Sequence, residues 1–70
     1  MNTNHIGLNV RIHRRAKGMT QDELAQQSGV HYNTIVQLEN LTKPANPKIQ
    51  TLEKVAGVLG VGVLEIITNK

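Results

Sequence analysis

Apolar residues recur at intervals of three and four along the chain, the spacing that places side chains on one face of an α-helix. The pattern is plainest from Ile49 to Leu59, where Leu52, Val55 and Ala56 fall on the same face. No stretch alternates between apolar and polar residues as a half-buried strand does. We therefore expect a single, compact, all-α domain. Its five helices are predicted over residues 5–17, 20–27, 31–40, 47–59 and 62–68.

The second predicted helix begins with a strong set of local signals. Thr20 is a good N-cap, and Glu23, three residues later, completes a capping box. Met19 before the cap and Leu24 after it have the spacing of a hydrophobic staple. Gly29 then allows a tight turn, because glycine adopts a positive φ without strain. The sequence therefore predicts two short helices joined by about three residues.

The composition excludes several classes of function. The chain has 70 residues and no cysteine, so it can hold neither a disulfide framework nor a thiolate metal site. The apolar stretch from Val55 to Leu64 is too short to span a membrane, and the N-terminus lacks a signal-peptide pattern. We find no phosphate-binding glycine loop, metal-ligand cluster or nucleophile beside a base. We therefore expect a cytoplasmic protein that is not an enzyme and uses no metal, cofactor or membrane.

The net charge of +3 is unevenly distributed along the chain. Counting Lys, Arg, Asp and Glu, residues 1–18 carry four basic and no acidic side chains. Residues 19–40 carry three acidic and no basic ones, and residues 41–70 carry four basic and two acidic ones. The basic excess favours a polyanionic partner such as a nucleic acid. The acidic middle indicates that binding does not rest on charge alone.

The third predicted helix offers a polar face that suits base recognition. A pair of helices joined by a short turn containing glycine is a helix-turn-helix, whose second helix enters the DNA major groove. Placing Ile35 and Leu38 inward points Asn33 and Gln37 away from the core. Such amides can bind both N6 and N7 of adenine, and Val36 can pack against a thymine methyl group. An exposed face is also polar when it is merely solvated, and it is the preceding turn that favours recognition here.

Three segments resemble a known family. Residues 19–30 read MTQDELAQQSGV, residues 34–40 read TIVQLEN, and residues 52–56 read LEKVA. Together they resemble the phage repressor and Cro-like helix-turn-helix family over about residues 6–67. The resemblance implies a five-helix, lambda-repressor-like DNA-binding domain. It further implies a transcriptional repressor that binds a pseudo-palindromic operator in double-stranded DNA as a homodimer, at the nucleoid of a bacterium or phage-infected cell.

The resemblance also implies roles for individual residues. Positions that match or adjoin those reading bases are Tyr32, Asn33, Val36 and Gln37. Positions that match phosphate contacts are Gln21, Thr34, Asn40 and Lys43. Further basic residues that we expect to neutralise phosphates are Arg11, Arg15, Lys17 and Lys48. Arg14 and Glu39 match a partly buried ion pair that ties the first helix to the end of the third.

The starts of three helices depart from the pattern or need a cap. His31 stands where the family prefers Ser or Thr, so the third helix is either poorly capped or presents an imidazole near a phosphate. Gly62 replaces the common Ser cap of the last helix. Asn46 is expected to cap the fourth helix, with Pro47 at its first position.

The last helix carries a candidate dimer interface formed by Val63, Leu64 and Ile67. The alternative is that these side chains only close the core of the monomer, which applies as well to Ile67 and less to Leu64. A second function stays open, in which the same fold binds a protein partner as a helical interaction module. An antitoxin-type regulator would bind both DNA and a protein. The acidic residues 19–40 and the uncharged third helix favour a protein partner.

Overall fold

The computed structural model describes residues 4–40 and 47–68, which form five α-helices. In chain order they are α1 (Asn4–Ala16), α2 (Gln21–Ser28), α3 (Tyr32–Leu38), α4 (Ile49–Leu59) and α5 (Val63–Ile67). The described ranges contain no strand, and the all-α prediction is confirmed. None of the helices in these ranges is long and apolar enough to cross a membrane.

One aliphatic core lies between the helices. Each helix contributes one side chain with no solvent exposure at all: Val10, Leu24, Ile35, Val55 and Ile66. Burying such a side chain contributes about 1.5–3 kcal/mol relative to leaving it exposed. Because all five helices share this core, it fixes the orientation of α3 relative to the rest of the domain.

The connection between α2 and α3 is the tight turn that the sequence predicts. Thr20 Oγ1 accepts a hydrogen bond from the Glu23 N–H at 3.1 Å, and Glu23 Oε1 accepts one from the Thr20 N–H at 2.9 Å. At the other end of α2, Gly29 has a φ of 72° and its N–H donates to the Ala25 carbonyl oxygen. Residues 29–31 then lead directly into α3. The capping box and the helix-turn-helix are therefore both present.

The fourth helix begins two residues later than predicted. Lys48 occupies the N-cap position with an extended ψ of 147° and no side-chain cap, and the Leu52 N–H donates to its carbonyl oxygen at 3.2 Å. Pro47 therefore precedes α4 instead of opening it, because the first helical hydrogen bond is accepted by the carbonyl oxygen of Lys48. Asn46 and Lys43 lie outside the described residues. The other four helices lie within two residues of their predicted ranges.

An imidazole caps α3. His31 Nδ1 accepts a hydrogen bond from the Asn33 N–H at 3.2 Å, while the His31 backbone has a ψ of 140°. Of the two alternatives for His31, the poor cap was therefore wrong, since a ring nitrogen takes the role that a Ser or Thr oxygen has elsewhere. His31 is exposed to solvent, and the expectation that its ring lies near a phosphate stays a prediction.

Replacing His31 should reveal the contribution of this cap. We expect His31→Ala to lower the free energy of unfolding by about 1 kcal/mol, because the Asn33 N–H loses its acceptor. That loss corresponds to a fall of about 4–8 °C in the melting temperature of a domain of this size. His31→Ser restores a side-chain oxygen and should recover most of it. Thermal unfolding followed by circular dichroism measures both variants, and equal midpoints for Ala and Ser would contradict the capping role.

Candidate nucleic-acid interface

The outer face of α3 is polar and exposed. Asn33 and Gln37, one helical turn apart, are both exposed, whereas Ile35 and Leu38 on the opposite face are buried. The inner residues anchor the helix to the core, and the preceding turn fixes where its N-terminus begins. Two amide side chains thus project side by side from a helix whose opposite face is packed against the core. This geometry is suited to reading base edges.

The other residues assigned to α3 differ in how far they project. Tyr32, at the N-terminal end of the helix, is 45% exposed. Thr34 and Val36 are half-buried, and Asn40 is exposed just beyond the end of the helix. The Asn40 N–H donates to the Gln37 carbonyl oxygen at 3.2 Å. The most accessible part of this surface therefore consists of Tyr32, Asn33, Gln37 and Asn40.

A polar concavity of about 490 Å³ lies between the end of α1 and the start of α2. Arg11 and Arg15 line it from α1, and Thr20 and Gln21 line it from the start of α2. Arg15 is exposed and Arg11 is half-buried. The positive end of the α2 dipole lies at the same place. Guanidinium groups, an amide and a helix N-terminus together provide the chemistry that binds phosphate oxygens.

Metal binding has no comparable support. Within residues 4–40 and 47–68, no group of three or more His, Cys, Asp or Glu side chains is arranged to hold a metal ion. The concavity beside α2 instead combines three guanidinium groups and an amide with a single carboxylate, that of Glu39. Anion binding is therefore the chemistry that this surface supports.

A buried ion pair joins α1 to the end of α3. Arg14 Nε donates to Glu39 Oε2 at 2.7 Å, and Arg14 Nη2 donates to Glu39 Oε1 at 2.9 Å. A third donor, Arg14 Nη1, binds the Met19 carbonyl oxygen at 2.7 Å. Only 8% of Arg14 and 5% of Glu39 is exposed. The pair therefore fixes the α1–α2 turn as well as the end of α3.

The ion pair also determines how Arg14 titrates. Its hydrogen bond to Glu39 raises the pKa of the guanidinium above its ordinary value, with burial opposing the shift and the Glu39 charge adding to it. A pKa raised by folding means that the stabilisation is complete below the unfolded value. It is lost only as the pH rises through the folded value. Arg14 therefore stabilises the fold throughout the physiological range.

The carboxylate of Glu39 has a second partner on α2. Gln21 Nε2 donates to Glu39 Oε1 at 3.2 Å. The resemblance predicted a phosphate contact for Gln21, but nothing in the sequence predicted this bond, because the two residues are 18 positions apart and no local spacing connects them. The structure thus places Gln21, Glu39 and Arg14 in one hydrogen-bonded network.

Two side chains for which the sequence predicted no role hold α5 against α1. His5 Nε2 donates to the Ile67 carbonyl oxygen at 2.8 Å, because a carbonyl can only accept. Asn9 Nδ2 donates to the Ile66 carbonyl oxygen at 2.7 Å and to that of Thr68 at 3.3 Å. These donors satisfy carbonyl groups at the end of α5 that have no partner within the helix. The spacing of four between His5 and Asn9 is the only signal of this role in the sequence.

The predicted dimer residues divide into two groups. Val63 and Ile67 are half-buried and pack against the core, so the monomer itself accounts for them. Leu64 is 73% exposed and lines a groove of about 390 Å³ between α1 and α5, together with Leu8. Of the three residues, Leu64 is therefore the one whose apolar surface is left uncovered by the fold.

The five helices, the tight turn after α2 and the exposed face of α3 define a class of protein. The family described as Helix-turn-helix matches residues 10–66, and this chain belongs to it. The HTH-type transcriptional regulator SinR of Bacillus licheniformis is 37% identical over 65 residues, which are 93% of this chain and 58% of that protein. The chain thus spans less than two thirds of the length of SinR.

Two solved structures show the same fold. The N-terminal DNA binding domain of SinR from Bacillus subtilis is 36% identical and has a TM-score of 0.89, with 96% of each chain covered. A chain from a complex of SinR protein with SinI protein is also 36% identical, with a TM-score of 0.85. That match covers 91% of this chain and 61% of the other. The compact five-helix prediction is confirmed by these likenesses.

Proposed function

We propose that the chain is a sequence-specific double-stranded DNA-binding protein that regulates transcription as a repressor. The observation that carries this proposal is the exposed pair of amides, Asn33 and Gln37, on a helix fixed by a tight turn. Likeness to the DNA binding domain of SinR supports it. The protein would act in the cytoplasm, where bacterial or phage DNA is transcribed.

In this function α3 lies in the major groove and reads bases with Tyr32, Asn33, Val36 and Gln37. No Lys or Arg lies on α3, so most of the affinity must come from its surroundings. Phosphate oxygens are bound on either side of the groove. The residues proposed for these contacts are Gln21, Arg11 and Arg15 in the concavity, together with Thr34, Asn40 and Lys43.

Repression would follow from occupying an operator that overlaps a promoter. Two copies of the chain would place their α3 helices in successive major grooves, about 34–36 Å apart, on a pseudo-palindromic site. We propose that the homodimer forms through the α5 region, where Leu64 is 73% exposed. Val63 and Ile67 border this contact while also closing the core of each monomer.

Selection of duplexes from randomised sequence tests the proposal directly. The recovered sites should share two half-sites with two-fold symmetry. Asn33→Ala and Gln37→Ala should each relax base preference at one position per half-site, by about 1–3 kcal/mol for a lost bidentate contact. Binding titrations with single-base variants of the recovered duplex measure this loss.

Arg15→Ala provides the contrast for these variants. Because a phosphate contact carries no sequence information, it should weaken all duplexes alike and reduce the dependence of log affinity on log salt by about one. Recovery of unchanged sites by both amide variants would refute the assignment of the reading face. Recovery of single, unsymmetrical half-sites would refute the homodimer.

A second candidate function is the binding of a protein partner through the groove between α1 and α5. Exposed Leu8 and Leu64 line this groove, and one solved structure of similar fold comes from a complex of SinR protein with SinI protein. Under this hypothesis duplex binding is weak at every salt concentration and a protein co-purifies with the chain. Tight, salt-dependent and sequence-selective duplex binding would instead favour the first function.

A further inference from the structure

Glu39 lies where three helices meet. It is the first residue beyond α3, and its carboxylate accepts hydrogen bonds from Arg14 on α1 and from Gln21 on α2. The same Arg14 also binds the Met19 carbonyl oxygen just before α2. One buried carboxylate therefore connects the end of the proposed reading helix with the start of α2, where the proposed phosphate site lies.

The bond to Glu39 determines how the Gln21 amide is oriented. A carboxylate only accepts hydrogen bonds, so the nitrogen of the Gln21 amide must face it. This nitrogen carries two N–H groups, and one bond to Glu39 uses a single one of them. Gln21 and Glu39 both line the concavity that also contains Arg11 and Arg15. The Gln21 amide is thus held at the wall of the polar concavity, with its nitrogen bound to Glu39.

We propose that Glu39 is a positioning residue for DNA binding. It holds the Gln21 side chain in place before DNA binds, so that the second N–H of the amide can donate to a phosphate oxygen. The inference rests on the proposed DNA-binding function. Immobilising a flexible side chain at an interface reduces affinity, and a side chain ordered before binding avoids that loss. Because Glu39 directly follows α3, its bond to Gln21 also fixes the position of the phosphate contact relative to the reading helix.

A single Glu39 variant does not isolate this role. Removing a carboxylate near DNA reduces repulsion of every phosphate, which strengthens binding, and it also removes the partner of Arg14. Both effects are independent of the residue at position 21. A double-mutant cycle cancels them, because they occur equally in each background, and leaves only the coupling between the two positions.

The cycle compares four proteins: wild type, Glu39→Met, which removes the acceptor of the Gln21 bond, Gln21→Met and the double variant. Each is titrated, at a temperature where it is folded, against the tightest duplex that the wild type selects from randomised sequence. The factor by which Glu39→Met raises the dissociation constant for the duplex should be about three- to tenfold larger when residue 21 is Gln than when it is Met. Gln27, an exposed amide on the same helix, supplies the matched control. A cycle of Glu39→Met with Gln27→Met should show no coupling.

Glu39→Asp replaces Glu39→Met if the neutral variant does not fold, since it keeps the charge beside Arg14 and withdraws the carboxylate by one methylene. A measurement on the free wild-type protein needs no variant. Nuclear magnetic resonance relaxation of side-chain amides should show Gln21 Nε2 to be ordered and that of Gln27 to be mobile.

Every outcome of these measurements either supports or overturns the positioning role of Glu39. Coupling of the expected size with an ordered Gln21 amide supports the positioning role. A coupling factor of one, or a Gln21 amide as mobile as that of Gln27, overturns it while leaving DNA binding intact. If the wild type binds no duplex, the proposed function fails and the inference fails with it. Retention of an ordered Gln21 amide in that case would identify a purely structural network.

Discussion

Gly7→Ala is expected to remove much of the stability of the domain. Gly7 is buried in α1, and a Cβ atom there would overlap the carbonyl oxygen of Leu38 and lie 3.2 Å from Glu39 Cα. Both are backbone atoms at the end of α3, so no side-chain rotation relieves the overlap. α1 would have to move away from α3. Overpacking of a protein core usually costs about 1–3 kcal/mol. Because backbone atoms cause the overlap here, we expect Gly7→Ala to lower the free energy of unfolding by about 3 kcal/mol or more.

Gly57→Ala is the matched control for this substitution. Gly57 is exposed within α4, and no atom lies within 4 Å of the position that its Cβ would occupy. Alanine there should raise the free energy of unfolding by about 0.5–1 kcal/mol, because it favours the helix more than glycine does. Urea unfolding of the two variants should therefore give changes of opposite sign. A Gly7→Ala protein as stable as Gly57→Ala would show that α1 does not approach α3 this closely.

Features that depend on neighbouring residues were predictable from the sequence. The box formed by Thr20 and Glu23 needs only a spacing of three, and the positive φ of Gly29 follows from a turn between two apolar patterns. The exposure of Asn33 and Gln37 follows equally from 100° of rotation per residue. Each of these was correct because the information lies within one or two helical turns.

Features that depend on how separate helices meet were not predictable in this way. Periodicity treats Gly7 as a residue that weakens a helix, whereas its role is to let α1 approach the backbone at Leu38. His5 and Asn9 look like an ordinary polar edge, yet they bind carbonyl groups about 60 residues away. Contacts at such separation leave no spacing in the sequence that could reveal them.

The candidate site shows the same division. The pairing of Arg14 with Glu39, 25 positions apart, was anticipated only from resemblance to a family and not from any pattern in the residues. The additional bond from Gln21 to Glu39 was not anticipated at all. Which residues project from α3 was therefore a local question, whereas the support behind them is a property of the assembled core.

The buried ion pair between Arg14 and Glu39 is expected to be essential for stability, and the variant Arg14→Met should show this. The variant leaves the Glu39 carboxylate buried without its guanidinium partner and removes the donor to the Met19 carbonyl oxygen. Breaking one side of a buried ion pair costs about 3–5 kcal/mol. Because a domain of this size has a total stability of only roughly 4–10 kcal/mol, Arg14→Met should be partly or wholly unfolded at 37 °C. Chemical denaturation measured at low temperature gives the size of the loss.

Combining Arg14→Met with Glu39→Met separates the cost of an unpaired charge from the value of the pair. The double variant buries no charge at this site, and replacing both partners by apolar side chains of similar volume is often close to neutral. We expect it to be more stable than Arg14→Met alone, although Met19 and Gln21 still lose a hydrogen-bonding partner. Losses below about 1 kcal/mol both in Arg14→Met and in Glu39→Met made alone, the size typical of an exposed pair, would contradict the burial of this network. A double variant that is no more stable than Arg14→Met would show instead that the three hydrogen bonds of Arg14, and not the charge left on Glu39, account for the loss.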